Sequence, residues 1–469
     1  MRNLKKSMLA ALTLALCLAC QLPAAAADED FLIQDGVLVS YDGAGGDVTI
    51  PAGVTSIGTA AFQASGVTSV TIPEGVTQIE TSAFWGCEDL TQVTIPESMQ
   101  EIGPSAFGAC TSLTEVTIPA TVETVGTEAF RGCSKLASVT VGASVIGGEA
   151  FRDIERLTQV TFLEGVTQIG ESAFNGCVNL ESPQFPDSLT TIEKSAFSYC
   201  GFDTVVIPDS VTTLGSAAFA HNESLSSVEL GSGIDTLTDA FRGCTALKTL
   251  DIPEGVTSIA YSAFHKTGLV EITLPDSITQ IDEAAFYNCP DLERVTFGSG
   301  LQTIGKNAFD YCPKLTTVVI PDGVTEIGLT AFPSSVTDIA IPASATDLAS
   351  PVVAKGSSAV FHVTAGSEAE FNAQNDGFTA QTDYDSFAAS IPAPGAYSAA
   401  ALAEEETAAP EEPAGSTQES GETSAPAEET EPQTAQEGSS LSVAGVIAVI
   451  VVVALLAGGA WVVLKKKKV

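Results

Sequence analysis

Histidine is almost missing from this chain: three occur in 469 residues, His221, His265 and His362. The side chain most often used as a general acid or base is therefore scarce. None of the three has a fixed nucleophile nearby in sequence, and there is no nucleophile elbow, phosphate-binding glycine loop or zinc signature. The sequence points to no enzyme, no cofactor and no metal. Basic residues are also few, 19 against 58 acidic ones. Seven of them sit at the two ends, Arg2, Lys5, Lys6 and Lys465 to Lys468, which leaves the body with 12 basic and 58 acidic residues, a formal charge of −46. Such a surface repels phosphate backbones and anionic lipid head groups, so nucleic acid is excluded as a partner and the body does not lie on a membrane.

Long apolar runs are confined to the ends. Arg2, Lys5 and Lys6 precede the short apolar stretch Met8 to Leu18, and Ala25 and Ala27 suit cleavage after Ala27, so residues 1–27 read as a signal peptide. A lipoprotein signal with Cys20 as the lipidated residue is the alternative, although Cys17 stands where such a signal favours Leu. Residues 441–464 carry no charge, enough to cross about 30 Å of hydrocarbon. Residues 465–469 follow as a basic cytoplasmic tail, which puts the body outside the cell. The chain is thus expected at the cell surface as a single-pass membrane protein. Residues 385–440 are rich in Ala, Glu, Thr, Ser and Pro, with no basic residue, and read as an acidic disordered linker. Within it, Glu431-Pro432-Gln433-Thr434-Ala435 resembles a sortase sorting signal of Gram-positive surface proteins, with Pro432 and Thr434 matching and Glu431 and Ala435 departing. A chance Pro-x-Thr in such a linker is the competing reading.

What the chain has in abundance is repetition. Ala-Phe recurs thirteen times, from Phe62 to Phe332, at spacings of 21 to 23 residues. One unit runs Cys87-Glu-Asp-Leu90-Thr-Gln-Val93-Thr-Ile95-Pro96, then Glu-Ser-Met99-Gln-Glu-Ile102-Gly103-Pro-Ser-Ala106-Phe107. Val93-Thr94-Ile95 alternates as a half-buried strand does. Pro96 lacks the amide hydrogen needed to extend it, Gly103 permits a tight turn, and the Ala-Phe step reads as a short helical turn. One unit cannot bury its own apolar face, but stacked units can. The expected fold is a repeat solenoid, a right-handed coil of the α/β type. One side is a parallel sheet of about 14 short strands, roughly 65 Å long at about 4.8 Å per strand, and the other holds short helical turns and loops.

The Ile/Val-Pro turn, the Ile-Gly step, Ala-Phe-x-x-Cys and the Leu after it together resemble the BspA-like leucine-rich repeats of bacterial surface proteins. The resemblance implies an N-terminal cap over residues 28–50, repeats over 51–342 and a C-terminal cap over 343–384, and a role in adhesion or recognition. It carries over no catalytic residue.

Eight cysteines, Cys87, Cys110, Cys133, Cys177, Cys200, Cys244, Cys289 and Cys312, each fall three residues after an anchor Phe. Other repeats place Ser65, Ile154, Asn222, Thr267 or Ser335 in that slot, so free buried thiols are expected rather than disulfides. One cysteine per coil makes a row, not a tetrahedral zinc site. The acids after the strand proline, such as Asp209 and Asp276, read as turn and capping residues rather than a calcium site. Two binding surfaces stand out. The outward strand face is a ladder of small hydroxyls that becomes charged at Glu229, Asp251, Glu271 and Arg294. The aromatics after the anchors, Trp85, Tyr199, Tyr287 and Tyr311, are the second. An extracellular protein or glycan, host-derived ones included, is the expected partner of a monomeric solenoid. A structural surface spacer without a ligand is the alternative.

If the C-terminal apolar run is the anchor, a chain truncated after Glu437 will appear in the culture medium. Retention on the cell would show that an N-terminal lipid or the body holds it. Changing Pro432 and Thr434 separates sortase processing from membrane retention.

Overall fold

The structure is a computed structural model that describes residues 28–391. The signal segment with Cys20, the linker beyond residue 391 with Pro432 and Thr434, the apolar run and the lysine tail lie outside the described residues. Within them the chain is a parallel-strand solenoid. Strands Val67–Thr71, Gln92–Thr94, Glu115–Ile118, Ser138–Val141 and Gln159–Phe162 start successive coils. Like residues align across coils, as in Val70↔Val93 and Val116↔Val139↔Val160, so the apolar residues stack inward while Ser, Thr, Gln and Glu look out.

A second parallel ladder runs alongside, formed by two-residue strands such as Gln78–Ile79, Glu101–Ile102 and Thr124–Val125. Sequence reasoning assigns these residues to the turn, because two residues are too few to show alternation. The glycine after them allows coils to approach closely. A Cβ on Gly103 would lie 2.8 Å from the backbone carbon of Glu80.

The Ala-Phe step is not a helical turn, which corrects the sequence reading. Its backbone alternates between turn-closing and coil-bridging bonds. Ala83, Trp85 and Cys87 donate to Glu80, Ser82 and Phe84 within the coil, while Ser82, Phe84 and Gly86 donate to Pro104, Ala106 and Gly108 of the next one. The alternation needs left-handed residues, here Ser82 at φ 55° and Gly86 at φ 71°. Each non-glycine residue so placed costs roughly 1–2 kcal/mol, a cost offset by the bonds that every coil makes to its neighbour. Only the coil at Asp239–Phe241 uses a 3-10 turn among the described coils.

The anchor phenylalanines form two ring stacks, Phe62 to Phe241 and Phe264 to Phe332. Centroids from Phe62–Phe84 to Phe174–Phe197 are 4.7 to 5.2 Å apart, and the planes are within 13° of parallel. Tyr41 of the N-terminal hairpin Phe31–Gln34/Val37–Tyr41 starts the stack, 4.9 Å from Phe62. Beside the rings runs the cysteine row. All eight thiols are free and buried, and each donates to a carbonyl of the preceding coil's anchor, as Cys110 Sγ does to Phe84 O at 3.2 Å. Asn222 fills the same slot by donating to Phe197 and Phe219 carbonyls.

The strand face is segmented. Instead of one sheet it is five parallel sheets of three, three, two, two and four strands. Pro183 explains one gap: no strand forms on this face between Gln159–Phe162 and Thr204–Val206, although the coil stays stacked through Gln168↔Thr191 of the second ladder and Phe174–Phe197. Proline has no amide hydrogen to donate to a ladder, and here the whole strand is lost rather than one hydrogen bond. Phe185 partly compensates, its ring 5.7 Å from Phe162. A second joint lies near residue 240. Leu237 to Phe241 is one residue shorter than the matching Ile79 to Phe84, so the left-handed residue is missing. The two-residue ladder lapses between Thr213–Leu214 and Thr236–Leu237, the strand face skips Leu250, and no ring stacking joins Phe241 to Phe264 among the described residues. Asp239 Oδ1 there accepts the Ala217 amide in place of a backbone carbonyl.

The C-terminal end is closed by strand Val360–Val363, helix Glu368–Asn375 and strand Thr379–Gln381. A last helix, Tyr384–Ser390, runs past residue 384 into the stretch read as linker. It is held on the strand face by His362, whose Nδ1 lies 2.9 Å from Asp383 and Nε2 3.3 Å from Asp338, with Phe387 stacked on the ring. Tyr384 also donates to Ile320 O at 2.8 Å.

Two predictions follow from this packing. Amides flanking Pro183 and residues 231–250 will exchange at least about tenfold faster than those around Val116, because solenoid cooperativity passes through neighbouring coils. Pro183→Val will narrow the first difference. Equal protection would refute the weak joints. The second concerns alkali. Burial pushes the Cys177 and Cys244 thiols up to about 12, against about 8.5 for an unfolded thiol. The folded state favours the protonated form, so this stability is full below about pH 8.5 and is lost as pH rises towards 12. The urea midpoint should hold to about pH 8 and then fall. The C177A/C244A double variant should show a shallower fall.

Candidate binding face

The outward strand positions come from the alternation itself, because residues flanking a buried Val or Ile point away from the core. In the first coils they are Ser69/Thr71, Gln92/Thr94, Glu115/Thr117 and Gln159/Thr161, all at least partly exposed. The pattern turns charged further along. Glu271 and Arg294 precede the buried residues of paired strands, lie in register and approach to 3.8 Å. Glu229 and Asp251 follow the buried residues of their coils and are exposed, Glu229 in register with Val206 and Asp251 in the coil that has no strand. The structure thus brings Glu271 and Arg294 together and sets Glu229 and Asp251 in the neighbouring column. An exposed pair of this kind adds little stability. Arg294 also borders a groove of about 530 Å³ between this face and the last helix, lined by Glu293, Thr296, Thr317, Ala388 and Ile391.

Asp209 and Asp276 serve the stack. Each carboxylate accepts the backbone amide and hydroxyl of a serine one coil on, Ser232 at 2.7 and 3.0 Å and Ser299 at 2.6 and 2.9 Å. Those bonds, the amide first, hold both carboxyls below the usual range. Among the described residues no group of three or more His, Cys, Asp or Glu side chains is arranged to hold a metal ion.

The turn side carries the aromatics. Trp85, Tyr199 and Tyr311 are exposed and Tyr287 is half-buried. They form contacts rather than isolated projections. Tyr199 stacks on His221 at 4.7 Å, and Tyr287 meets His265 at 5.5 Å and Tyr311 at 5.2 Å. Sequence reasoning gives neither histidine a role. It misses Arg242 and the 64% exposed Tyr261. Arg242 stands directly after Phe241, the slot filled by His265 and Tyr287 in the next coils, and that shared offset was the available signal.

A family model described as BspA type leucine rich repeat region (6 copies) matches residues 45–155, 144–266 and 237–338. Among solved structures, the chain is similar to a leucine rich cell surface protein from Faecalibacterium prausnitzii A2-165, with 28% identity over 75% of this chain and 98% of that one and a TM-score of 0.44. It is similar to the pneumococcal vaccine antigen PcpA at 19% identity, covering 75% and 95% with a TM-score of 0.44. A leucine-rich repeat protein from Bacteroides ovatus ATCC 8483 matches at 24% identity, covering 57% and 91% with a TM-score of 0.33. No curated protein matches the chain.

Proposed function

The chain belongs to the BspA-type leucine-rich repeat family, and from that premise we propose that it is a surface-displayed recognition protein that holds an extracellular protein or glycan, host-derived ones included, along the sides of its solenoid. The observation that carries this reading is the outward strand face: a regular array of side chains on a stacked backbone, turning from hydroxyls to the charged set Glu229, Asp251, Glu271 and Arg294. A backbone bonded coil to coil presents such groups with little ordering cost on binding. The leader and the C-terminal apolar run support display outside the cell by a single span, with processing at Thr434 as a further step. A spacer without a ligand needs none of the charged change along the face.

The experiment is an array of extracellular host proteins and glycans probed with the purified full-length chain. Saturable binding is expected. Reversing charges together, with Glu229→Lys and Asp251→Lys, should slow association about tenfold and flatten its salt dependence. A chain that binds nothing on the array, and whose loss changes only the thickness of the cell-surface layer, would establish the spacer instead.

A further inference from the structure

The body carries 58 acidic residues and only 12 basic ones, and most of those cations are spoken for. Arg131, Arg152, Lys194, Lys248, Arg294, Lys306 and Lys314 each have a carboxylate within 4 Å. The turn side of three adjacent coils departs from this rule. His221, Arg242, His265 and Lys266 stand there together, and none has a carboxylate partner within 4 Å among the described residues. The Arg242 Nε is buried and has no hydrogen-bond partner, which is a costly state for a charged group. Arg242 directly follows the anchor of the short coil. The same turn positions in the N-terminal half also hold arginines, but Arg131 and Arg152 are neutralised by Glu128, Glu149 and Asp153.

Aromatic rings flank the cations on both sides. Tyr199 stacks on the His221 ring, and that ring lies over Gly243, where a Cβ would stand 2.6 Å from its Nδ1. On the other side His265 leads to Tyr287 and Tyr311. Tyr311 in turn borders an open groove of about 980 Å³ lined by Pro313, Leu329, Pro333, Pro351 and Lys355. The groove exists because the turn after Phe332 is cut short, with Pro333-Ser334-Ser335 leading directly into the next strand.

We infer that the track from Tyr199 through Arg242 to Tyr311 is a binding site for an anionic polysaccharide bearing carboxylate or sulfate groups. The inference rests on the reading that the sides of the solenoid hold extracellular ligands, and adds to the strand face a second site with its own ligand class. Sugar rings offer flat C–H faces to tyrosines, and their acid groups meet unpaired cations spaced along the coil axis, as successive residues of a linear polymer would. An acidic peptide fits less well, because the cationic stretch itself offers no apolar pocket for side chains. The acidic surface elsewhere confines a polyanion to this track, since its repulsion is screened beyond about 8 Å at physiological salt.

The histidines add a pH dependence. Burial first, and then the Arg242 charge, lowers both rings below 6.5, with Lys266 acting in the same direction and Glu223 opposing it at His221. They are neutral at pH 7.5 and gain charge in acid, where a bound anion stabilises the protonated form, so binding strengthens as pH falls.

The test uses the full-length chain with heparin, polygalacturonate, neutral dextran and polyglutamate, by biolayer interferometry at pH 5.5 and 7.5. Expected are binding of heparin or polygalacturonate, at least threefold tighter at pH 5.5, and no binding of dextran or polyglutamate. The exposed substitution K266E should weaken binding at least tenfold, as should R242A, while R131A should not. Unchanged thermal unfolding of K266E guards against misfolding. Failure of both polysaccharides, equal binding of polyglutamate, or indifference to K266E would each overturn the site. If the array finds a partner through the strand face while these probes fail, the site falls and the recognition reading stands. If both experiments find nothing, both fall.

Discussion

The stack of phenyl rings at about 5 Å governs everything else in this molecule. Parallel strands sit about 4.7–4.9 Å apart, and the anchor rings repeat at 4.7 to 5.2 Å through most of the N-terminal half. The two periods are commensurate, so side-chain stacking and backbone bonding reinforce each other in every coil. The left-handed residues before and after most anchors make this match possible, because they aim alternate amides along the axis. A coil that changed its length without changing its ring would lose one or the other. The coil ending at Phe241 shows this, since the next anchor, Phe264, no longer stacks on it.

Much of this was legible in the residues. Thirteen Ala-Phe steps in register specify stacking, and Val-Thr-Ile alternation specifies strands with one buried face. The substitution of Cys by Ser, Asn or Thr at one slot pointed to a small buried group, and the structure shows why polar members fit: each can bond a neighbouring backbone carbonyl, as Cys110 and Asn222 do. The turn was misread because Ala, Ser and Glu carry no left-handed signal, and only glycines such as Gly86 and Gly132 hint at it. The two-residue ladder was hidden because its pattern is shorter than one alternation. Pro183 is a flaw that the residue type itself announces, since proline cannot donate to a ladder, but that the whole strand would be lost is visible only in the structure.

The candidate sites were legible in proportion to how local they are. Glu271 and Arg294 meet because equal positions in successive coils meet, which counting alone reveals. Arg242 and His265 share the slot directly after their anchors, but His221 stands one residue further on, so counting equal positions alone does not bring the three together. His362 was out of reach altogether, because one partner, Asp338, comes from the last repeat strand and the other, Asp383, from the far end of the cap.

The missing residue before Phe241 can also be viewed as a crystallographer views a stacking fault. On either side the lattice of coils keeps its spacing. Across the fault both ladders and the ring column lapse within two coils. A periodic partner laid along the solenoid therefore meets two gratings rather than one, and its register on the first says nothing about its register on the second. Lengthening either grating by whole coils would extend its reach without disturbing the fault, so the fault and the gap at Pro183 are landmarks that fix position along a largely self-similar stack.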